Sequence, residues 1–171
     1  MTGTVDVELT DLAATDQLGR AIGAELRPGD VVVLAGELGA GKTALTKSIA
    51  VGMGITETVT SPTFVISRVH HGAGVTLVHV DAYRLGGAVE LEDLDLDTDL
   101  AQAAVVVEWG TGLAERFAEH PLTVTLRRRP DDVRDCVLVG DPQRWSDLLT
   151  SLPQAAQSAP SAPGARSSPS A

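Results

Sequence analysis

The densest chemistry in this chain lies at residues 36–43. Gly36-Glu37-Leu38-Gly39-Ala40-Gly41-Lys42-Thr43 matches the pattern Gly-x-x-x-x-Gly-Lys-Thr in full. A loop that aims several backbone N–H groups at one phosphate needs the conformations and the close approach that glycine allows. A helix opening at about Lys42 adds the partial positive charge of its N-terminus. Lys42 can then reach the β- and γ-phosphates of a nucleotide, and the Thr43 hydroxyl takes a Mg²⁺ position. Glu37, Leu38, Gly39, Ala40, Gly41, Lys42, Thr43 and Ala44 form the expected nucleotide-contacting stretch. Its context supports this reading: an apolar run, Val31 to Leu34, precedes the loop and an amphipathic stretch follows it. The rival dinucleotide fingerprint Gly-x-Gly-x-x-Gly is not matched, since the glycines fall at 36, 39 and 41.

Such a cradle also needs a carboxylate at the end of a neighbouring strand, where it holds Mg²⁺ through water. Asp81 follows the apolar run Val75 to Val80, and Glu108 follows Val105-Val106-Val107. One acid can serve the metal while the other orients or deprotonates an attacking water. The sequence leaves open which does which. His79 lies two residues before Asp81 and shares its strand face. It reads either as a packed core histidine or as part of the site. Thr63, after Pro62, stands where a nucleotide-sensing loop would be and reads equally as an ordinary loop threonine. Trp109 reads as a packed aromatic beside the site. Cys136, in Cys136-Val137-Leu138-Val139, reads as a small buried hydrophobe. The acids from Glu90 to Asp99 are interrupted by leucines and read as a solvated face.

These residues must be positioned by a fold, and the hydrophobic pattern indicates which. Val5 to Leu9 reads as a first strand, and Thr10 is placed to cap the following helix, whose buried stripe is Leu18, Ile22 and Leu26. Val31 to Leu34 has the pattern of a strand covered on both faces. Lys42 to Val51 reads as a helix with Leu45 and Ile49 inward. Phe64 to Val69 and Val75 to Val80 read as strands around the turn at 70–74. Gly86 to Leu100 reads as short helix plus loop. Ala104 to Val107 reads as another buried strand and Leu113 to Glu119 as a helix. Val124 to Leu126 and Val133 to Val139 read as a closing hairpin, and Trp145 to Leu149 as a last helical turn or two. Together they predict an α/β fold: a single P-loop NTPase-like domain over 1–150, with a central, mostly parallel but mixed β-sheet flanked by helices. Residues 151–171, rich in Ser, Ala and Pro, lack the apolar side chains that offset ordering entropy and read as a disordered tail.

Composition narrows the partners. Hydrophobic residues make up 43% of the 171, enough for a core, but aromatics only 3%. A formal charge of −10 repels phosphodiester backbones, so unaided nucleic-acid binding is not expected. With no basic segment at the N-terminus, no long apolar span and a single cysteine, the chain reads as cytoplasmic.

One ordered set of motifs is more specific than the loop alone. Gly36 to Thr43, Ser61-Pro62-Thr63-Phe64, His79-Val80-Asp81-Ala82-Tyr83-Arg84-Leu85, Glu90-Leu91-Glu92 and Glu108-Trp109 closely resemble the bacterial TsaE (YjeE) family. That family supplies the ATPase of tRNA threonylcarbamoyladenosine biosynthesis. The resemblance spans about residues 5 to 140. Gly110 departs from it, standing where members often have Pro, and the Ser/Ala/Pro tail is an extra. The resemblance implies MgATP at the loop, with Thr43 and Glu108 near the metal and Asp81 as a Walker B-like acid. It also brings Arg134 to the nucleotide, whereas the residues alone make Arg134 a surface cation in a hairpin. The implied partners are TsaB and the threonylcarbamoyl-transferring TsaD, whose assembly ATP hydrolysis would reset, with tRNA engaged only through that complex. Two other readings use the same loop. A small-molecule kinase would need an acceptor pocket and usually a lid with arginines, and 86–100 contains no Arg. A nucleotide-gated binding module would turn over negligibly.

Overall fold

The structure, a computed structural model, describes residues 1–60, 67–72, 74–84 and 101–153. The expected loop with Thr63, the start of the strand at Phe64, the stretch 86–100 and residues 154–171 lie outside the described residues.

Seven strands form one sheet in the order β1-β7-β6-β2-β5-β4-β3. They are β1 (Gly3–Leu9), β2 (Val31–Ala35), β3 (Ser67–His70), β4 (Thr76–Asp81), β5 (Ala103–Glu108), β6 (Leu122–Arg128) and β7 (Arg134–Gly140). Pairing is parallel for β2 with β5 and β6 and for β4 with β5, and antiparallel at both margins. The chain therefore has the mixed α/β sheet expected of it. Val31 to Leu34 and Ala103 to Glu108 are buried on both faces because β2 and β5 lie centrally in the sheet. On one face Val32, Leu34, Leu77, Ala104 and Val106 pack under α1 (Leu12–Glu25), α2 (Lys42–Gly52) and α3 (Pro142–Ser151). On the other, Val31, Val33, Val105 and Val107 pack with Ala114 of a 3₁₀ segment, Ala114–Phe117.

The position of α2 is set by glycine. A Cβ on Gly19 would lie 2.3 Å from Ser48 Cβ, and one on Gly23 would lie 2.1 Å from the Ile49 carbonyl oxygen. Bare backbone on α1 thus lets α2 approach to contact, while Ile22, Leu45 and Ile49 are buried completely beside it. Each such side chain contributes roughly 1.5–3 kcal/mol relative to exposure. At the far end Arg144 of α3 forks onto Asp30, Nε to Oδ1 at 2.9 Å, fastening α3 to the turn that launches β2. Burial pushes the Cys136 thiol up to about 12, with the Asp6 charge acting in the same sense, as suits a residue packed in the core.

Several boundaries differ from the sequence expectation. Asp11, not Thr10, caps α1: its carboxylate accepts from the Ala14 N–H at 2.8 Å. The expected helix at 113–119 is a single 3₁₀ segment. The hairpin strands are longer than their apolar cores, since β-ladder pairing continues through Arg127 and Arg128. α3 is ten residues long, and Leu152 beyond it is in the core, so the packed chain extends past the expected tail boundary at 151. Among the described residues, no helix is long and apolar enough to cross a membrane.

Candidate functional site

The loop between β2 and α2 is built as its glycines require. Gly36, Gly39 and Gly41 have φ of 142°, 79° and 109°. A Cβ on Gly36 would also sit 2.4 Å from the Leu126 carbonyl oxygen of β6, so chain direction and space both demand glycine there. Gly41 is the N-cap of α2 and provides no side chain, leaving the first N–H groups of the helix free to face a ligand. Glu37, Leu38 and Gly39 are exposed at the tip, and Ala40 is buried beneath it.

Lys42 begins α2 and is nearly buried. Its Nζ donates to the carbonyls of Gly36 at 2.6 Å and Glu37 at 2.9 Å, and stands 4.0 Å from the ring centre of Trp109. Desolvation lowers its pKa from the ordinary lysine value, with the Glu108 and Asp81 charges acting in the opposite sense. Next to it the Thr43 hydroxyl donates to Glu108 Oε1 at 3.1 Å. Thr46, one turn on, donates to the Lys42 carbonyl at 2.9 Å and stands 3.4 Å from the same carboxylate oxygen.

Strand register brings the two acids together. Asp81 ends β4, Glu108 ends β5, and the two are Cα partners across the parallel pair. Glu108 is buried at 3% exposure, whereas Asp81 is half-buried and accepts from the Tyr83 N–H at 3.0 Å. Asp81, Glu108, Lys42, Thr43, Ala44, Gly41, Gly39, Leu38 and Trp109 line one cleft of about 290 Å³. The residues expected from sequence to bear the chemistry thus share a wall. Arg134 leans over the opposite side of the loop: its Nε donates to the Ala40 carbonyl at 3.2 Å and its Nη1 to the Asp132 carbonyl at 2.7 Å. It is therefore a loop contact rather than a free surface cation.

Two features were not anticipated. Thr46 joins the carboxylate because it lies three residues after Thr43 on the same helical face, a spacing visible in the sequence. Trp109 adopts φ 63°, a left-handed backbone that is a genuine outlier for an aromatic residue. That turn lays the indole over Lys42 and 5.1 Å from the Tyr83 ring. No propensity or periodicity signals it.

The donor set suits Mg²⁺. A hydroxyl and a carboxylate at contact distance, with a second carboxylate alongside, offer only hard oxygen ligands. Among the described residues, no three His, Cys, Asp or Glu side chains gather into a metal cage. Mg²⁺ needs none, because it is usually held by one or two protein oxygens together with phosphates and water.

Comparison with known proteins places this geometry. The family model described as threonylcarbamoyl adenosine biosynthesis protein TsaE matches residues 9–136. A tRNA threonylcarbamoyladenosine biosynthesis protein TsaE from Streptomyces coelicolor is 50% identical over 143 residues, covering 80% of this chain and 97% of that protein. The protein of the same name from Bacillus subtilis is 37% identical over 139 residues, covering 81% and 87% respectively. The crystal structure of YdiB from Bacillus subtilis superposes with a TM-score of 0.71 at 30% identity, over 86% of this chain and 93% of that one. With the family pattern matched across most of its length and relatives of such similarity, the chain belongs to the TsaE family.

Proposed function

We propose that this protein is a Mg²⁺-dependent ATP hydrolase that acts as a partner-stimulated switch in tRNA N6-threonylcarbamoyladenosine modification, resetting a transferase complex formed by TsaB and TsaD homologues. The observation that carries the reading is the contact between Thr43 and Glu108 at the mouth of a glycine cradle occupied by Lys42. Lys42 offers its charge to the β- and γ-phosphates, and the N–H groups at the start of α2 hold the phosphate oxygens. Thr43 and Glu108 would hold Mg²⁺, which when bound supplies charge neutralisation at those phosphates. Asp81, in register with Glu108, orients the water or supports the metal's surroundings. Glu37 to Ala44 enclose the phosphates, and Arg134 fixes the loop from its outer side. The pathway assignment draws on the names of the relatives.

Exposed groups beside the cleft support partner dependence. Leu38, which lines the cleft, is 91% exposed, and Tyr83, against Trp109 of the same cleft, is 70% exposed, where a docked protein could order them. Steady-state phosphate release is measured with the protein alone and with purified TsaB and TsaD homologues. Slow basal release that the pair stimulates supports the reading, with Tyr83→Ala lowering stimulated turnover more than basal. Equal rates with and without the pair overturn the switch. Transfer of the γ-phosphate to a small-molecule hydroxyl in place of free phosphate would make the protein a kinase.

A further inference from the structure

Among the described residues, His79 and Thr46 are the buried polar side chains with 0% exposure, and His79 is the larger. Neither of its ring nitrogens has a hydrogen-bond partner among the described residues. An unpaired imidazole in an apolar interior is unfavourable, and its neighbours Leu77, Val78 and Val80 show what the strand otherwise places there. Its surroundings explain its presence. His79 is the Cα partner of Val106, so Glu108 lies one side-chain repeat further along the same face of β5. Nε2 stands 3.4 Å from Glu108 Oε1, the oxygen that also receives Thr43 at 3.1 Å.

We infer that His79 is a positioning residue for Glu108, its Nε2–H directed at the carboxylate from the sheet side while Thr43 holds it from the side of α2. This inference rests on the ATPase reading. Two arguments carry it beyond proximity. A carboxylate opposite Nε2 selects the tautomer that bears its proton there, since a bare ring nitrogen would meet a carboxylate oxygen lone pair to lone pair. A separation of 3.4 Å is too long for a formed bond, yet a few tenths of an ångström closes it, and bonds of this kind tighten when the reacting complex assembles. With donors on two sides, the carboxylate plane cannot swing out of line with the cleft. Thr46, 3.4 Å from the same oxygen, already spends its proton on the Lys42 carbonyl, so among the described residues His79 is the donor left for the sheet side.

The test uses three variants of the full chain with its partners. His79→Leu removes the donor and keeps an apolar volume. His79→Gln carries an N–H near the place of Nε2, and His79→Asn carries one near Nδ1 instead. Outer contacts to a catalytic ligand are commonly worth 10- to 100-fold. His79→Leu should therefore lose roughly 10-fold in kcat with KM for ATP within about two-fold of wild type, at an unchanged or higher Tm. His79→Gln should recover most of that loss and His79→Asn little. Wild-type kcat in the Leu variant, or Gln and Asn falling together with Tm, overturns the inference in favour of a packing role. A second readout does not need turnover. In ¹⁵N-labelled wild type, His79 should be the Nε2–H tautomer, and its Nε2 resonance should move on Glu108→Gln. An Nδ1–H tautomer overturns the inference. Absence of ATP hydrolysis by the wild-type protein would count against the proposed function, while the tautomer measurement still decides the role of His79.

Discussion

The glycine loop between β2 and α2 is flanked by two walls that use charge in opposite ways. On the β4–β5 side, Glu108 is 3% exposed and His79 is fully buried. On the β6–β7 side, Arg127, Arg128 and Arg129 pair with Asp131, Asp132, Asp135 and Glu8 in an open ladder of ion pairs, and Arg134 donates to the Asp132 carbonyl beside it. Arg129 alone reaches Asp131 at 2.8 Å, Glu8 at 2.9 Å and Asp135 at 3.3 Å. The hairpin has more charges and more bridges, yet water screens them, and exposed pairs contribute little. The buried wall has few, but each lies in a low-dielectric cleft, where a fixed charge would be worth far more to the phosphate chemistry proposed for it. Counting ion pairs would therefore point to the wrong wall.

Mutations should separate the walls. The largest effect is expected from Lys42→Ala, which removes the ammonium that bridges the carbonyls of Gly36 and Glu37. ATP turnover should fall by roughly 10³-fold, the scale of a positioned charge in P-loop systems. Circular dichroism should report an unchanged fold, since Lys42 packs on the loop and not in the hydrophobic core. Normal turnover by this variant with partners present would remove the loop from the chemistry. Glu108→Gln comes next. It keeps size and hydrogen bonding but loses charge, and should retain ATP binding by calorimetry while losing roughly 10²-fold in hydrolysis. Asp81→Asn should be milder, because Asp81 is half-buried and not the carboxylate that Thr43 touches. Its turnover should require a higher Mg²⁺ concentration, and Mg²⁺ titrations identical to wild type would deny it any place around the metal.

The buried wall was also the more legible one. Val31 to Leu34 and Val105 to Val107 are continuous apolar runs, the pattern of strands covered on both faces. The acid following one of them therefore had to emerge at the sheet edge where the loop lies. The stripe Leu18, Ile22 and Leu26 likewise announced α1. What stayed hidden depends on partners distant in sequence. Asp11 and Thr10 are both competent caps, and only the backbone path decides between them. Arg127 and Arg128 extend β6 because β7 pairs with them, and their own propensity gives no sign of it. The part played by Gly19 and Gly23 shows only where α2 packs against them. The left-handed turn at Trp109 is imposed by the chain around it, so no local rule could have shown the indole over Lys42. Arg134 looked like a surface cation because its acceptor, the Ala40 carbonyl, is 94 residues away.

The smallest effect is expected on the hairpin wall, from Arg127→Ala. Arg127 is 76% exposed, and its bridge is to Asp135 at 2.6 Å. The arginines beside Asp135 and Asp131 hold both carboxyls below the usual range, Arg127 foremost for Asp135 and Arg129 foremost for Asp131. A depressed carboxyl favours the folded state above its unfolded pKa of about 3.9, and that contribution disappears as pH falls through the lower folded value. The bridge is thus fully present at neutral pH, and any pH dependence it brings belongs to the acid limb below about pH 4. Even at neutral pH its loss should be slight, because Arg129 still pairs with Asp135 and both partners gain water. Scanning calorimetry at pH 7.5 should find Tm within about 3 °C of wild type in 150 mM salt, with the gap narrowing further in 1 M salt as screening removes what remains. Partner-stimulated turnover should not change. A fall in Tm beyond that margin, or a fall in turnover approaching that of Glu108→Gln, would mean that the arginine ladder holds the loop in shape through Arg134, and that the two walls act as one unit.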